Sequence, residues 1–209
     1  MKSETFFSAA ENADITRTIQ EVELQTSGEV AVMVVEQSDF YPESRILAGV
    51  LIGSLLALGI TDLLLDDSLW GFLPLAATFS LLIAWLVDYL PMVRKIFVSG
   101  ARLEEMVREQ AVQEFFKQGL HKTREATGVL FFISLFERRV WVLADQGLNG
   151  KISQESLQAY AADIAKGIKE GRAAEVLCLE IRRAGTVLAE HFPVRDDDIN
   201  ELSDQVIHG

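Results

Sequence analysis

Apolar and polar positions change rhythm several times along the 209 residues of the chain. Phe6, Phe7, Ala10, Ile15, Ile19 and Val22 recur at spacings near three and four with acids and polar residues between them, which predicts an amphipathic helix. The segment TSGE breaks that pattern at Gly28. The run EVAVMVVE, Glu29 to Glu36, is mostly β-branched and too apolar to face water on both sides, which predicts a strand. Two long apolar runs follow, Arg45 to Leu65 and Leu69 to Leu90. Each has roughly the 20 helical residues that a bilayer core about 30 Å thick requires. Beyond Lys95, Leu103, Met106, Val107, Ala111, Phe115 and Leu120 mark one face of another helix, with Gly119 as a stop signal. GVLFFISLFE and VWVLAD, joined by charged residues, then predict a β-hairpin whose turn lacks the usual Gly or Asn. Two helices complete the pattern, one striped with Leu157, Tyr160, Ala161, Ile164 and Ile168, the other with Val176, Leu177, Ile181, Ala184, Val187 and Leu188.

The order helix, strand, two apolar helices, helix, two strands, two helices predicts an α/β fold. One strand and one helix before the apolar runs make no core alone, so the fold must be completed after them. A strand, a helix and a second strand in series imply a parallel pair, and the hairpin adds an antiparallel strand. The expectation is a small mixed sheet with helices packed on it, split by an inserted transmembrane hairpin. The boundaries are residues 1–43 and 96–192 for the split domain, 44–95 for the hairpin and 193–209 for an acidic, solvated tail. A buried helix pair of a soluble protein is the competing account of the apolar runs.

Charge gives the hairpin an orientation. Arg45 precedes the first run, Arg94 and Lys95 follow the second, and the turn between them carries Asp66 and Asp67. Positive-inside logic puts both chain ends in the cytoplasm and the turn outside, with Trp70, Trp85 and Tyr89 near the interfaces. Asp62 and Asp88 lie close to the run ends, where they reach water. Gly49 and Gly53 form a GxxxG, extended by Ala57, that lets helix backbones approach closely. Its partner is the second run of the same chain, a second copy or another membrane protein. The formal charge of −12 falls mostly on the polar flanks and argues against nucleic acid, which needs clustered cations. The single cysteine, Cys178, reads as a small core residue, and the first 14 residues lack a signal peptide's apolar core. Both fit the cytoplasmic side of an inner membrane.

Candidate chemistry centres on ADQGLNGK, Ala144 to Lys151. It fails as a P-loop, because Asp145 stands where GxxxxGK[ST] needs Gly and Ile152 follows Lys151. It keeps an acid at a strand end, the glycines Gly147 and Gly150, and Ser153 placed to cap the next helix. Asp145, Gly147 and Gly150 are therefore the candidate ligand-binding residues; in the bland account the glycines only turn the chain. The tail offers Asp196, Asp198 and Asn200 at calcium-loop spacing, but Glu201 and Ile207 replace the required Gly and Glu. His121, His191 and His208 are scattered, with no HExxH or CxxC companion for zinc.

TSGEVAVMVVE after a helix, then TGVLFFISLFERRVWVLADQGLNGKI, then two helices, resembles the TPM domain family. The matching residues are Gly28, Glu29, Gly128, Arg138, Arg139 and ADQGL, within residues 5–40 and 101–192. The resemblance implies a compact α/β sandwich. It implies either a non-catalytic module that assists assembly or repair of membrane complexes, or an acid phosphatase with a divalent cation (Ca or Mg) held by acids near the strand ends. On the second account Asp145 is the ligand, with Glu29 or Asp39 assisting. Two features depart from the family pattern: apolar helices interrupt the domain, and Lys151 brings positive charge where metal-binding members carry an Asp.

Overall fold

The computed structural model describes residues 2–64, 68–87, 89–195 and 200–209. Asp66, Asp67, Asp88, Asp196 and Asp198, to which the sequence assigns turn, interface or tail roles, lie outside the described residues. The chain forms two compact units, Met1–Ser38 with Glu104–Gly209, and Asp39–Leu103.

In the first unit, α1 (Ala9–Glu23) begins on a capping box. The Ser8 hydroxyl accepts from the Glu11 amide at 3.2 Å, while the Ser8 amide donates to the Glu11 carboxylate at 2.7 Å. Its Ile15, Ile19 and Val22 are buried. The strands β1 (Val30–Val35) and β2 (Val129–Ser134) are buried along their whole length. They pair in parallel from Val30 opposite Val129 to Val35 opposite Ser134. β3 (Arg139–Ala144) runs antiparallel to β2. α5 (Gly100–Lys117) precedes β2, and α6 (Gln154–Lys169) and α7 (Ala173–His191) follow β3.

The two-residue period of the strands divides the core. Val30, Val32, Val34, Phe131, Ile133, Val140 and Val142 meet Ile15 and Ile19 of α1, Leu157 and Ile164 of α6, and Leu177, Ile181 and Leu188 of α7. Ala31, Met33, Val35, Leu130 and Phe132, with Trp141 and Leu143, meet Val107, Ala111 and Phe115 of α5. The result is a mixed α/β fold, a sheet between two helical layers. Cys178 lies in the first cluster, as a core residue.

The sheet has a fourth strand. β4 (Ile207–His208) pairs in parallel with Met33 and Val34, giving the order β3-β2-β1-β4. The expected solvated tail thus ends in a strand, while Val194, Arg195, Glu201, Ser203 and Gln205 before it are exposed. The far side of β1 would otherwise present unpaired amides and carbonyls beside the core, and the last residues satisfy them with backbone alone. The Gly209 amide likewise donates to the Val34 carbonyl at 3.1 Å. The hairpin also departs from convention. Arg138 adopts φ 55°, the left-handed conformation that Gly or Asn would take more easily.

The second unit holds α2 (Pro42–Leu64), α3 (Leu69–Val87) and the short α4 (Pro91–Ile96). Two of these, α2 and α3, are long and apolar enough to cross a membrane. They pack antiparallel with little room between the backbones. A Cβ on Gly53 would lie 2.5 Å from the Ser80 amide nitrogen, and one on Gly49 would lie 2.6 Å from the Ser80 carbonyl oxygen. The GxxxG stripe is thus occupied by the second apolar helix of the same chain. Leu55, Leu58, Leu63, Leu81 and Trp85 remain more than half exposed on the outside of the pair.

Candidate functional site

The turn after β3 is built by three structural devices. The Asp145 carboxylate accepts from the Gln146 amide at 2.7 Å and starts a single 3-10 turn, Gln146–Leu148. Gly147 donates its amide to the Ala126 carbonyl at 2.9 Å. It lies so close to that loop that a Cβ would sit 2.2 Å from the Glu125 carbonyl oxygen. Gly150 has φ 77° and stands at the third position of a turn closed by Lys151 donating to the Leu148 carbonyl at 3.0 Å. With Asn149 at φ −59° and ψ 127°, this is a type II turn, which requires positive φ at that position. Ser153 then caps α6 by accepting from the Ser156 amide, as its placement predicts. Each residue of the sequence candidate therefore has a conformational task. One feature is left over: the second carboxylate oxygen of Asp145, Oδ2, is buried without a hydrogen-bond partner.

Direction along the sheet matters here. Because β3 is antiparallel to β1 and β2, its carboxyl end lies at their amino ends. Open α/β sheets bind ligands outside the carboxyl ends of their parallel strands, so Asp145 stands at the opposite end from that crevice. Glu29 lies at the same end as Asp145 but two strands away, about 10 Å in backbone spacing. Its carboxylate accepts from the Glu201 amide at 2.9 Å and so holds the tail. No group of three His, Cys, Asp or Glu able to hold a metal ion occurs among the described residues. Asp39 belongs to the second unit and pairs with Arg102 at 3.7 Å.

Glu29 stands instead beside Glu23, which also meets Asp204. Glu23, half-buried at the end of α1, accepts from the Val30 amide at 3.1 Å. Burial pushes its carboxyl up to about 8, opposed by that hydrogen bond and reinforced by Glu29 and Asp204. Sequence inspection misses this group because its members stand at the end of a helix, the start of a strand and within the tail.

A second feature missed by motif reading lies along the β3 edge. A groove of about 250 Å³ runs between β3 and α6. Arg138, Arg139 and Lys169 line it together with Trp141 and the small side chains Ala161, Ala162 and Ala165. The hairpin at its end is fastened by Glu137, which is 2% exposed. The Ser38 amide donates to its carboxylate at 2.9 Å, and the Ser134 hydroxyl donates to the other oxygen.

The interface candidates sort by the antiparallel packing of α2 and α3. Arg45 in the first turn of α2 lies toward the same end as Trp85 and Tyr89, whose rings meet edge-on at 5.1 Å. Trp70, 88% exposed, lies in the first turn of α3, at the other end. Arg94 and Lys95 occupy the last turn of α4, where cations complement the helix dipole.

Among solved structures, the chain is similar to the NMR structure of the BA42 protein from the psychrophilic bacterium Bizionia argentinensis. The TM-score is 0.60 and the identity 20%, over 98% of this chain and 96% of that one. The likeness is one of fold, a TPM-domain-like fold over nearly the full length. No family model and no curated protein matches the sequence.

Proposed function

We propose that the protein is a membrane-anchored, partner-binding module of TPM-like fold that assists assembly or maintenance of membrane proteins. Helices α2 and α3 anchor it in the cytoplasmic membrane, and both termini and the mixed-sheet unit are cytoplasmic. The observation that carries this reading is the outer surface of the helix pair. Leu55, Leu58, Leu63, Leu81 and Trp85 offer an apolar surface far larger than water-soluble proteins tolerate, and lipid would cover it. Arg45, Arg94 and Lys95 favour the cytoplasmic placement. The structural employment of Asp145, Gly147 and Gly150 speaks against catalysis at that turn.

Two experiments test it. In a Cys178→Ala background, an impermeant maleimide should label Ser68→Cys from outside intact cells and leave Ser203→Cys unlabelled. Reversed labelling would overturn the orientation. Crosslinking in native membranes should then capture a membrane protein reproducibly; capture of lipid alone would overturn the partner-binding reading.

The orphaned Oδ2 of Asp145 favours a second reading, a divalent cation at that carboxylate serving phosphomonoester hydrolysis. Calcium or magnesium titration followed by amide NMR should then move residues 145–151, and Asp145→Asn should abolish both the shifts and the turnover. Unchanged spectra and no turnover would remove it.

A further inference from the structure

We infer that the groove between β3 and α6 is a docking site for an extended acidic peptide segment of a protein partner. The inference rests on the partner-binding reading above and adds a place and a chemistry to it.

The geometry begins with strand alternation. The Asp145 amide donates to the Gly128 carbonyl, so that pair is a hydrogen-bonded one, and every second pair after it repeats the pattern. Leu143, Trp141 and Arg139 therefore turn their amides and carbonyls toward β2. Val140 and Val142 turn theirs outward, where β3 ends the sheet among the described residues. Val140 and Val142 point their side chains into the core beneath α6, while Trp141 points to the opposite face. A groove that touches all three runs along the edge of the strand itself. Its other wall is α6, with Ala161, Ala162 and Ala165 leaving space beside the strand. An open edge facing a helix across such a space is the arrangement in which a peptide adds as a strand. Its backbone pairs with the edge and its alternate side chains enter the groove.

Charge selects the occupant. The chain carries −12 overall, yet the charged residues lining this groove are the cations Arg138, Arg139 and Lys169; Glu104, which pairs with Arg139 at 4.0 Å, is outside the lining. A basic or neutral segment gains nothing from those cations; an acidic one is drawn to them. Arg138 adds an independent reason. It holds φ 55°, a conformation that costs an L-residue what Gly would avoid, at the point where its side chain reaches the groove. An Arg at this strained position sets its charge on the rim of the groove, where an acidic segment would meet it.

The test uses the full chain in detergent micelles or nanodiscs and two labelled probes, the alternating hexapeptides VEVEVE and VKVKVK. Fluorescence anisotropy should show binding of the acidic probe only. Hydrogen exchange should slow at the outward amides of Val140 and Val142 when it binds. Arg138→Glu with Arg139→Glu should weaken binding about tenfold or more. Ala162 is exposed, so Ala162→Tyr blocks the groove without disturbing the core and should abolish binding. Equal binding of both probes, binding that survives Ala162→Tyr, or protection elsewhere would overturn the inference. So would vesicles of anionic lipid protecting those two amides in place of the peptide. If crosslinking to a membrane partner persists in Ala162→Tyr while the acidic probe fails, the groove is refuted and the module reading stands. If no partner is captured from either form, the module reading itself fails.

Discussion

Raising the pH from 5 to 8.5 should loosen the first unit through Glu23. Its carboxyl is half-buried between the Val30 amide, Glu29 and Asp204, and its pKa rises from 4.5 to about 8 on folding. Between those two values the folded chain holds a proton that the unfolded chain has released, so stability falls as pH rises. The contribution is fully present below about 4.5 and lost above about 8. At about 1.36 kcal/mol per unit the shift sets a ceiling near 5 kcal/mol, and solvent screening of a half-buried group reduces it to about 2 kcal/mol. For a domain of this size that is a fall in melting temperature of roughly 4–8 °C. Ionised Glu23 repels Glu29, which holds the Glu201 amide, and repels Asp204 directly, so the effect concentrates on the tail. Thermal unfolding by circular dichroism, in micelles and at several pH values, measures the global effect. Hydrogen exchange of residues 200–209 measures the local one. Glu23→Gln keeps an acceptor for the Val30 amide and removes the charge, so its melting temperature should lose this component of the pH slope. The difference between the two curves also cancels the general repulsion within an acidic chain. Parallel curves for wild type and Glu23→Gln, or a stability that climbs from pH 5 to 8, would refute the reasoning.

Three substitutions probe the other local arguments. Gly147→Ala sets a Cβ against two backbone carbonyls of the Glu125–Ala126 loop and should cost about 1–3 kcal/mol, read as a lower melting temperature; an unchanged value would mean that the loop yields freely. Gly53→Leu should separate α2 from α3 and lower the detergent concentration at which the pair unfolds, whereas Gly59→Ala, with nothing within 4 Å of its Cβ, should be neutral or slightly stabilising. Arg138→Gly should relieve the left-handed strain and stabilise by roughly 1 kcal/mol while weakening the acidic peptide, and a variant both less stable and equally tight would contradict the role given to Arg138.

Residues whose neighbours are set by period were readable in advance. Val30 to Val35 and Val129 to Ser134 are buried on both faces, and a strand covered twice appears in sequence as an unbroken apolar run. Ser153 was readable because a cap acts on the amide three residues ahead. The acids that matter to folding were not. Glu23 and Asp204 are separated by most of the chain, and Glu23 looks like any solvated carboxylate closing an amphipathic helix. The two-residue strand at Ile207 is too short for alternation to register, and it forms because β1 has an open side rather than because the tail has strand propensity. Gly147 has a structural reason that its sequence context does not display. A glycine next to an acid at a strand end suggests room for a ligand; here the room is filled by the Glu125 carbonyl.

The position of the helix pair in the chain has a physical rationale of its own. It interrupts the connection between β1 and β2, two adjacent parallel strands that need a crossover in any case. Lengthening that connection to roughly ninety residues is cheap, because closure entropy grows only with the logarithm of loop length, about 0.6 kcal/mol per doubling. The cost shrinks further if α2 and α3 associate first. An antiparallel pair returns the chain near its point of departure, since Gly49 in the second turn of α2 meets Ala84 in the last turn of α3. The crossover then closes as though the pair were a short link. Glycines at 49 and 53 therefore serve the fold twice, by packing two helices and by shortening the path between two strands. On this account Gly53→Leu should slow refolding of the sheet more than it lowers its final stability.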